Sequence, residues 1–175
     1  DFVLIWGAGG GLGTMATQIC KLHNAKAIAV ANSDDKLEMA SKLGAAFTIN
    51  RSKQDVSDEI RKITDRRGAD IVFEHVGDAT WETSVRSLKW GGTLVTCGAT
   101  SGFDAKTDIR LLWNKQLNFF GSHMANKAEF MEAWRWVESG DIKPVVLVAL
   151  PLKEAGLAQQ TMEGDQVIGK IVLTR

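Results

Sequence analysis

The sequence predicts an α/β fold, a doubly wound six-stranded parallel sheet with helices on both faces. Three observations point to it. Short apolar runs recur without polar alternation, helical stretches fall between them, and the first run opens into a glycine-dense turn. Strands that lack a polar face belong in a sheet covered on both sides by crossover helices. The runs are Val3–Trp6, Ala27–Ala31, Ala46–Ile49, Asp70–His75, Thr93–Cys97 and Leu117–Gly121. After the first comes a helix with Leu12, Met15, Ala16, Ile19 and Cys20 on one face, the spacing of an apolar stripe. Asp34–Leu43 reads as the second helix, closed by Gly44 as a left-handed cap. Asp55–Thr64 aligns Val56, Ile60 and Ile63 on one stripe. Asn126 followed by Glu129 has the form of a capping box, and it starts a helix through Phe130, Trp134 and Val137 that ends at Gly140.

The register changes after Gly140. Pro144 and Pro151 bracket an apolar strand, a short helix turns Ala155, Ala158 and Met162 inward, and Gly169–Leu173 closes the chain as a strand. These elements follow a completed sheet, so the expected division is residues 1–143 as one domain and 144–175 as a segment of a neighbouring one. The chain begins at Asp1, one residue before its first strand, and is expected to be a piece of something longer.

Composition narrows the function classes. Lys plus Arg equals Asp plus Glu, at 21 each, so no net field favours nucleic acid or anionic lipid. The longest apolar stretch, Val145–Leu150, is too short to span a bilayer as a helix. Cys20 and Cys97 are expected as two buried, reduced thiols, which fits a reducing, cytoplasmic setting. His23, His75 and His123 share no ligand spacing with each other or with the cysteines, so no metal site is expected.

The turn after the first strand carries the function. Gly7-Ala8-Gly9-Gly10-Gly11-Leu12-Gly13 joins a strand to a helix, the arrangement by which a Rossmann fold makes a pocket for a pyrophosphate. Glycine lets the backbone approach, while the first helical N–H groups and the helix dipole attract the anion. The spacing Gly7, Gly10, Gly13 departs from the strict first-third-sixth pattern because Ala8 stands where that pattern needs glycine. A glycine turn without a ligand is the plain alternative.

Past the second strand, an NAD-selective site usually carries an acid for the ribose hydroxyls. Here Asn32 and Ser33 follow Ala31, with no carboxylate at the strand end to repel a 2′-phosphate. Lys36 and Arg51 could supply opposite charge, or could be a solvated helix lysine and a loop arginine. One charge-assisted hydrogen bond, about 1.5–3 kcal/mol, gives roughly ten- to hundredfold preference. NADP is therefore favoured and NAD remains possible. Three more strand ends should line the crevice: Val76 and Gly77, then Cys97, Gly98, Ala99 and Thr100, then Ser122, His123 and Met124. Glu74 and His75 are expected as a buried pair that satisfies the loop. His123 is the one candidate for a role beside the nicotinamide, with packing as its alternative; the catalytic residues are otherwise unknown.

These landmarks resemble the cofactor-binding half of the medium-chain dehydrogenase/reductase superfamily, which includes zinc alcohol dehydrogenases and quinone oxidoreductases. The resemblance runs from Gly7–Gly13 through Asn32–Lys36, Leu43-Gly44-Ala45, Gly68-Ala69-Asp70, Val76-Gly77 and Gly91-Gly92-Thr93 to Pro151–Ala155 and Gly169–Leu173. Phe73-Glu74-His75, Thr100-Ser101-Gly102, Leu112-Trp113 and Gly121–Asn126 look closest to the crotonyl-CoA reductase/carboxylase branch. Lys36 lies where NADPH-using quinone reductases have a phosphate-binding lysine, and Arg51 near another phosphate-side position. The resemblance implies hydride transfer between a nicotinamide and a carbonyl, an alcohol or a conjugated alkene such as an enone. It implies an N-terminal GroES-like catalytic domain, to which 144–175 would belong and which brings the substrate pocket and any zinc ligands. It also implies a homodimer through the edge strand 117–121. Short-chain dehydrogenases are excluded because they need a tyrosine and this chain has none. Methyltransferases of similar topology want an acid where Ala31 and Asn32 stand. A non-catalytic dinucleotide-binding or structural module is the alternative reading.

Overall fold

The computed structural model describes residues 1–175. Its main sheet holds β1 (Phe2–Ile5), β2 (Lys26–Ala31), β3 (Phe47–Asn50), β4 (Ala69–Glu74), β5 (Leu88–Thr96) and β6 (Asn118–Gly121). All pair in parallel, in the order β3-β2-β1-β4-β5-β6. The order reverses between β1 and β4, and ligands of such sheets bind where their carboxyl ends part. The connecting helices are α1 (Gly11–Leu22), α2 (Asp34–Lys42), α3 (Val56–Ile63), α4 (Asp78–Ser87) and α5 (Ile109–Lys115). A sixth helix, α6 (Lys127–Glu138), starts on the full Asn126–Glu129 capping box. A separate two-stranded parallel sheet follows, β7 (Val146–Pro151) and β8 (Lys170–Thr174), crossed over by α7 (Ala155–Glu163). It touches the main sheet at the glycine turn, where Gly169 N–H donates to Gly9 O at 2.7 Å.

Alternation along each strand makes two cores of unequal character. Leu4, Trp6, Ile28, Val30, Ile49, Val72 and Leu94 fill one face, against Val56 and Ile60 of α3 and Val85 of α4. The other face is small: Val3, Ile5, Ala8, Ala27 and Ala29 meet Cys20 of α1 and Ala40 of α2. Alanines there let α1 lie close to the sheet, and this reverses an expectation. The helix buries Gly13, Thr14, Thr17, Gln18 and Cys20, whereas Leu12, on the predicted apolar face, is 50% exposed. Each buried hydroxyl is satisfied within the helix, Thr17 Oγ1 donating to Gly13 O at 2.9 Å and Thr14 Oγ1 to Gly11 O at 3.2 Å. The apolar stripe instead walls an open groove of about 470 Å³ with Val3, Ile71, Phe73 and Val95 of the sheet.

Other differences have local causes. The sequence stripe does not mark α4, because its buried side is Thr80, Ser84, Val85 and Ser87 rather than aliphatic. Strand β5 starts at Leu88 and ends at Thr96, which leaves Cys97 exposed in the following turn. Cys20 alone is buried, and burial pushes its thiol up to about 11. Met162 faces solvent, since α7 covers only a two-stranded sheet and buries Ala158 alone.

The start of β4 carries an ionic clamp. Burial alone would raise the Asp70 carboxyl. Arg67 at 2.9 and 2.6 Å, Lys89 at 2.5 Å and the Phe2 N–H at 2.6 Å more than reverse that, and hold it well below the usual carboxylate range. A depressed folded-state pKa stabilises above the unfolded value, near 3.9, and that stability is lost as pH falls below it. Asp70→Asn should therefore cost about 2 kcal/mol at pH 7. The deficit should shrink as pH drops from about 4 towards 2, read from urea midpoints of both proteins across that range. A deficit constant with pH would mean the clamp is steric.

Candidate functional site

The glycine turn and the start of α1 form one end of the crevice. Gly7 takes φ +57°, and its carbonyl accepts from Gly10 N–H at 2.9 Å. His75 closes the turn from β4. Its Nε2 donates to Trp6 O at 2.9 Å, and a Cβ on Gly7 would sit 2.9 Å from its ring. Glu74 and His75 are thus not a pair, as the sequence suggested; each holds a different piece of backbone. Gly13 packs on Gly7 O and on Ala8, whose Cα would be 2.5 Å from an added Cβ. Ala8 is fully buried, so the departure from the strict glycine pattern falls where a methyl fits the core.

The cap of α1, Gly10, makes no side-chain hydrogen bond, and its first turn carries no acid. The amides of Gly11, Leu12 and Gly13 therefore have no acceptor within the chain. Lys170, at the start of β8, lies over them: a Cβ on Gly11 would run into its side chain, with Nζ at 2.8 Å. Free amides and an ammonium together make an anion cradle. Sequence reasoning placed Lys170 only in a terminal motif; the Gly-Lys pair opening the last strand was the available signal.

A second corner lies past β2. Lys36 is 8% exposed, not a solvated helix lysine, and its stem crosses Gly9, where a Cβ would be 2.6 Å from Cγ. Its Nζ donates to Asn32 Oδ1 at 3.2 Å, to Asp165 O at 2.9 Å and to Asp165 Oδ1 at 2.6 Å. Asn32 Nδ2 donates to the other Asp165 carboxylate oxygen. The expectation that no carboxylate stands at this strand end is corrected: one arrives from the turn between α7 and β8. The Lys36 ammonium, aided by Asn32 and by the charge of Arg51, holds the Asp165 carboxyl below its ordinary range against the opposing effect of burial. The Arg51 side chain is exposed, and its backbone N–H donates to Ala31 O at 2.9 Å. Ser33 caps α2 without a side-chain bond.

The third group is built on Glu74, 0% exposed at the end of β4. Its Oε1 accepts from Val76 N–H at 2.7 Å and Gly77 N–H at 3.1 Å, while Thr80 Oγ1 and Ser84 Oγ donate to Oε2 at 2.9 and 2.5 Å. Gly77, at φ +95°, abuts Ala99 and Gly102. Ser101 N–H donates to Val76 O at 2.7 Å and Cys97 N–H to Glu74 O at 3.2 Å. Val76, Gly77, Cys97, Gly98, Ala99 and Thr100 are therefore brought together. Ser122 joins through its N–H to Thr96 O at 2.8 Å. His123 and Met124 are exposed, and no side-chain hydrogen bond ties either to this group.

No group of three or more His, Cys, Asp or Glu side chains stands close enough to hold a metal ion. No helix is long and apolar enough to cross a membrane. A family model described as zinc-binding dehydrogenase matches residues 11–139. The crotonyl-CoA reductase of Streptomyces collinus is 37% identical over 98% of this chain and 42% of its own length. The NAD-dependent alcohol dehydrogenase of Saccharolobus solfataricus is 35% identical over 98% of this chain and 50% of its own. Among solved structures, the 2-octenoyl-CoA carboxylase reductase CinF in complex with NADP and 2-octenoyl-CoA superposes with TM-score 0.88 at 36% identity, over 99% of this chain and 43% of that one. The chain spans about half the length of the curated relatives it matches. Family match, sheet order and glycine turn agree: the chain belongs to the zinc-binding dehydrogenase family, as the cofactor-binding part of a medium-chain dehydrogenase/reductase.

Proposed function

We propose that the chain is the NAD(P)(H)-binding part of an oxidoreductase that transfers hydride between nicotinamide and a carbonyl, alcohol or conjugated alkene. One observation carries the reading: three helix-start amides have no partner within the chain, and the Lys170 side chain lies against Gly11, the first of them. Gly7, Gly10, Gly11, Leu12, Gly13 and Lys170 would hold the diphosphate. Asn32, Ser33, Lys36 and Arg51 would take the adenosine ribose. Val76, Gly77, Cys97–Thr100 and Ser122–Met124 would border the nicotinamide end. When bound, the nicotinamide supplies the hydride chemistry, and these residues supply position and electrostatics.

NADP is the favoured form. Lys36 and Arg51 place two positive charges against the single Asp165 carboxylate, and a phosphate monoester carries nearly two negative charges at pH 7. Residues 1–143 form the dinucleotide-binding domain in this reading, and 144–175 belong with a catalytic domain that brings the substrate pocket. Residues 1–175 on their own would bind cofactor without turning over substrate. The exposed edge of β6, with Phe120 at 58% exposure, is the surface through which two copies would pair, because an open apolar edge needs cover. The setting proposed is the cytoplasm.

The test is titration of the full chain with NADPH and NADH, followed by tryptophan quenching and energy transfer to the nicotinamide. Lys36→Ala should weaken NADPH about ten- to hundredfold and leave NADH nearly unchanged. Equal losses for both would assign Lys36 to the fold, and absence of binding by either would end the proposal.

A further inference from the structure

The ammonium proposed to meet a 2′-phosphate is already fully engaged. A lysine has three N–H donors, and those of Lys36 go to Asn32 Oδ1, Asp165 O and Asp165 Oδ1. The second carboxylate oxygen of Asp165 takes the Asn32 amide, and the charge of Arg51 also acts on it. Lys36, Asn32 and the charge of Arg51 all act on this one carboxylate, while Ser33 makes no side-chain bond to it. Its side chain remains 65% exposed while that of Lys36 is 10% exposed, so the acid can leave the corner for solvent and the lysine cannot. Asp165 sits at φ +54° in the turn between α7 and β8, a conformation suited to Asp or Asn. Its N–H is fixed to Met162 O at 3.1 Å.

We infer that Asp165 is an internal anion that a 2′-phosphate must displace from Lys36, and that it sets the NADP/NAD preference of this site. This rests on the cofactor reading above and adds to it a specificity-determining residue 129 positions from its partner. A cofactor without the 2′-phosphate has no need to evict the carboxylate, so its affinity is governed elsewhere. NADP gains Lys36 only by giving Asp165 back to water.

The experiment measures NADPH and NADH dissociation constants in the full chain for wild type, Asp165→Asn, Lys36→Ala and the double variant. Asp165→Asn preserves side-chain size and the tolerance for positive φ, so folding is retained. The expected result is an NADPH/NADH affinity ratio raised about tenfold by Asp165→Asn, the effect of one freed charge-assisted contact. That gain should vanish in the Lys36→Ala background, because the acid acts through the lysine. A ratio unchanged by Asp165→Asn while both cofactors bind overturns the inference alone. So does the same gain with and without Lys36. If wild type binds neither cofactor, the cofactor reading itself fails and the inference with it.

Discussion

Gly13→Ala should unfold more easily by about 2–3 kcal/mol, in the range of overpacking costs, and should lose at least tenfold in affinity for either dinucleotide. An added Cβ would meet Gly7 O, Ala8 Cα at 2.5 Å and Ala8 C at 2.9 Å. All three are backbone atoms, so no rotamer change relieves the contact. Either α1 backs away from the turn or Gly7–Ala8 shifts, and both move the three free amides relative to the turn. Ala8 is anchored by its N–H to Val30 O at 3.0 Å, and His75 blocks Gly7 from the far side. The strain therefore falls on the helix start. Gly156→Ala is the matched control, since nothing lies within 4 Å of its Cβ position in α7; it should be neutral or stabilising by up to about 1 kcal/mol. Chemical denaturation and NADPH titration of both variants read the result. Wild-type affinity in Gly13→Ala would remove the cradle from the mechanism.

How far the sequence reaches depends on the range of the interaction. The strands were legible because burial on both faces leaves an unbroken apolar run, and each observed strand overlaps its expected position. The Asn126–Glu129 cap was legible because it is a contact between neighbours along one helix turn. The glycine turn was legible because strand, turn and helix are contiguous. The orientation of α1 was not. A stripe through Leu12, Met15 and Ile19 says that those residues share a face, not which surface meets it, and the Gly and Thr side packs closer to an alanine-rich sheet. Two site residues lay out of reach for a related reason. Lys36 was visible as a lysine one turn into α2, but its partner arrives from the turn after α7. Lys170 reaches Gly11 only because β8 begins beside the glycine turn. Charge pairs that join remote segments leave no local periodicity to read.

The buried carboxylate of β4 predicts a second large effect. Glu74, fully buried, receives two backbone N–H groups and two hydroxyls, and Ser84 Oγ in turn accepts from Trp6 Nε1–H at 2.7 Å. Glu74→Ala strands all four donors inside the core, and since each buried donor left unpaired costs about 1–3 kcal/mol, a loss of at least about 3 kcal/mol is expected. Glu74→Gln keeps one oxygen for Val76 and Gly77 and presents an amide to Ser84, which can reorient to accept it; about 1–2 kcal/mol should be lost. The two variants should also separate in the site. Val76 and Gly77 hold the turn against which Ala99 and Gly102 pack, so Glu74→Ala should weaken dinucleotide binding as well as stability, and Glu74→Gln should largely preserve it. Because Trp6 shares the network, the near-ultraviolet circular dichroism of Glu74→Ala should change while that of Glu74→Gln stays close to wild type. Equal destabilisation by the two substitutions would show that the negative charge matters more than the hydrogen-bond geometry. A binding loss without a stability loss would place Glu74 beside the cofactor rather than beneath the loop that lines it.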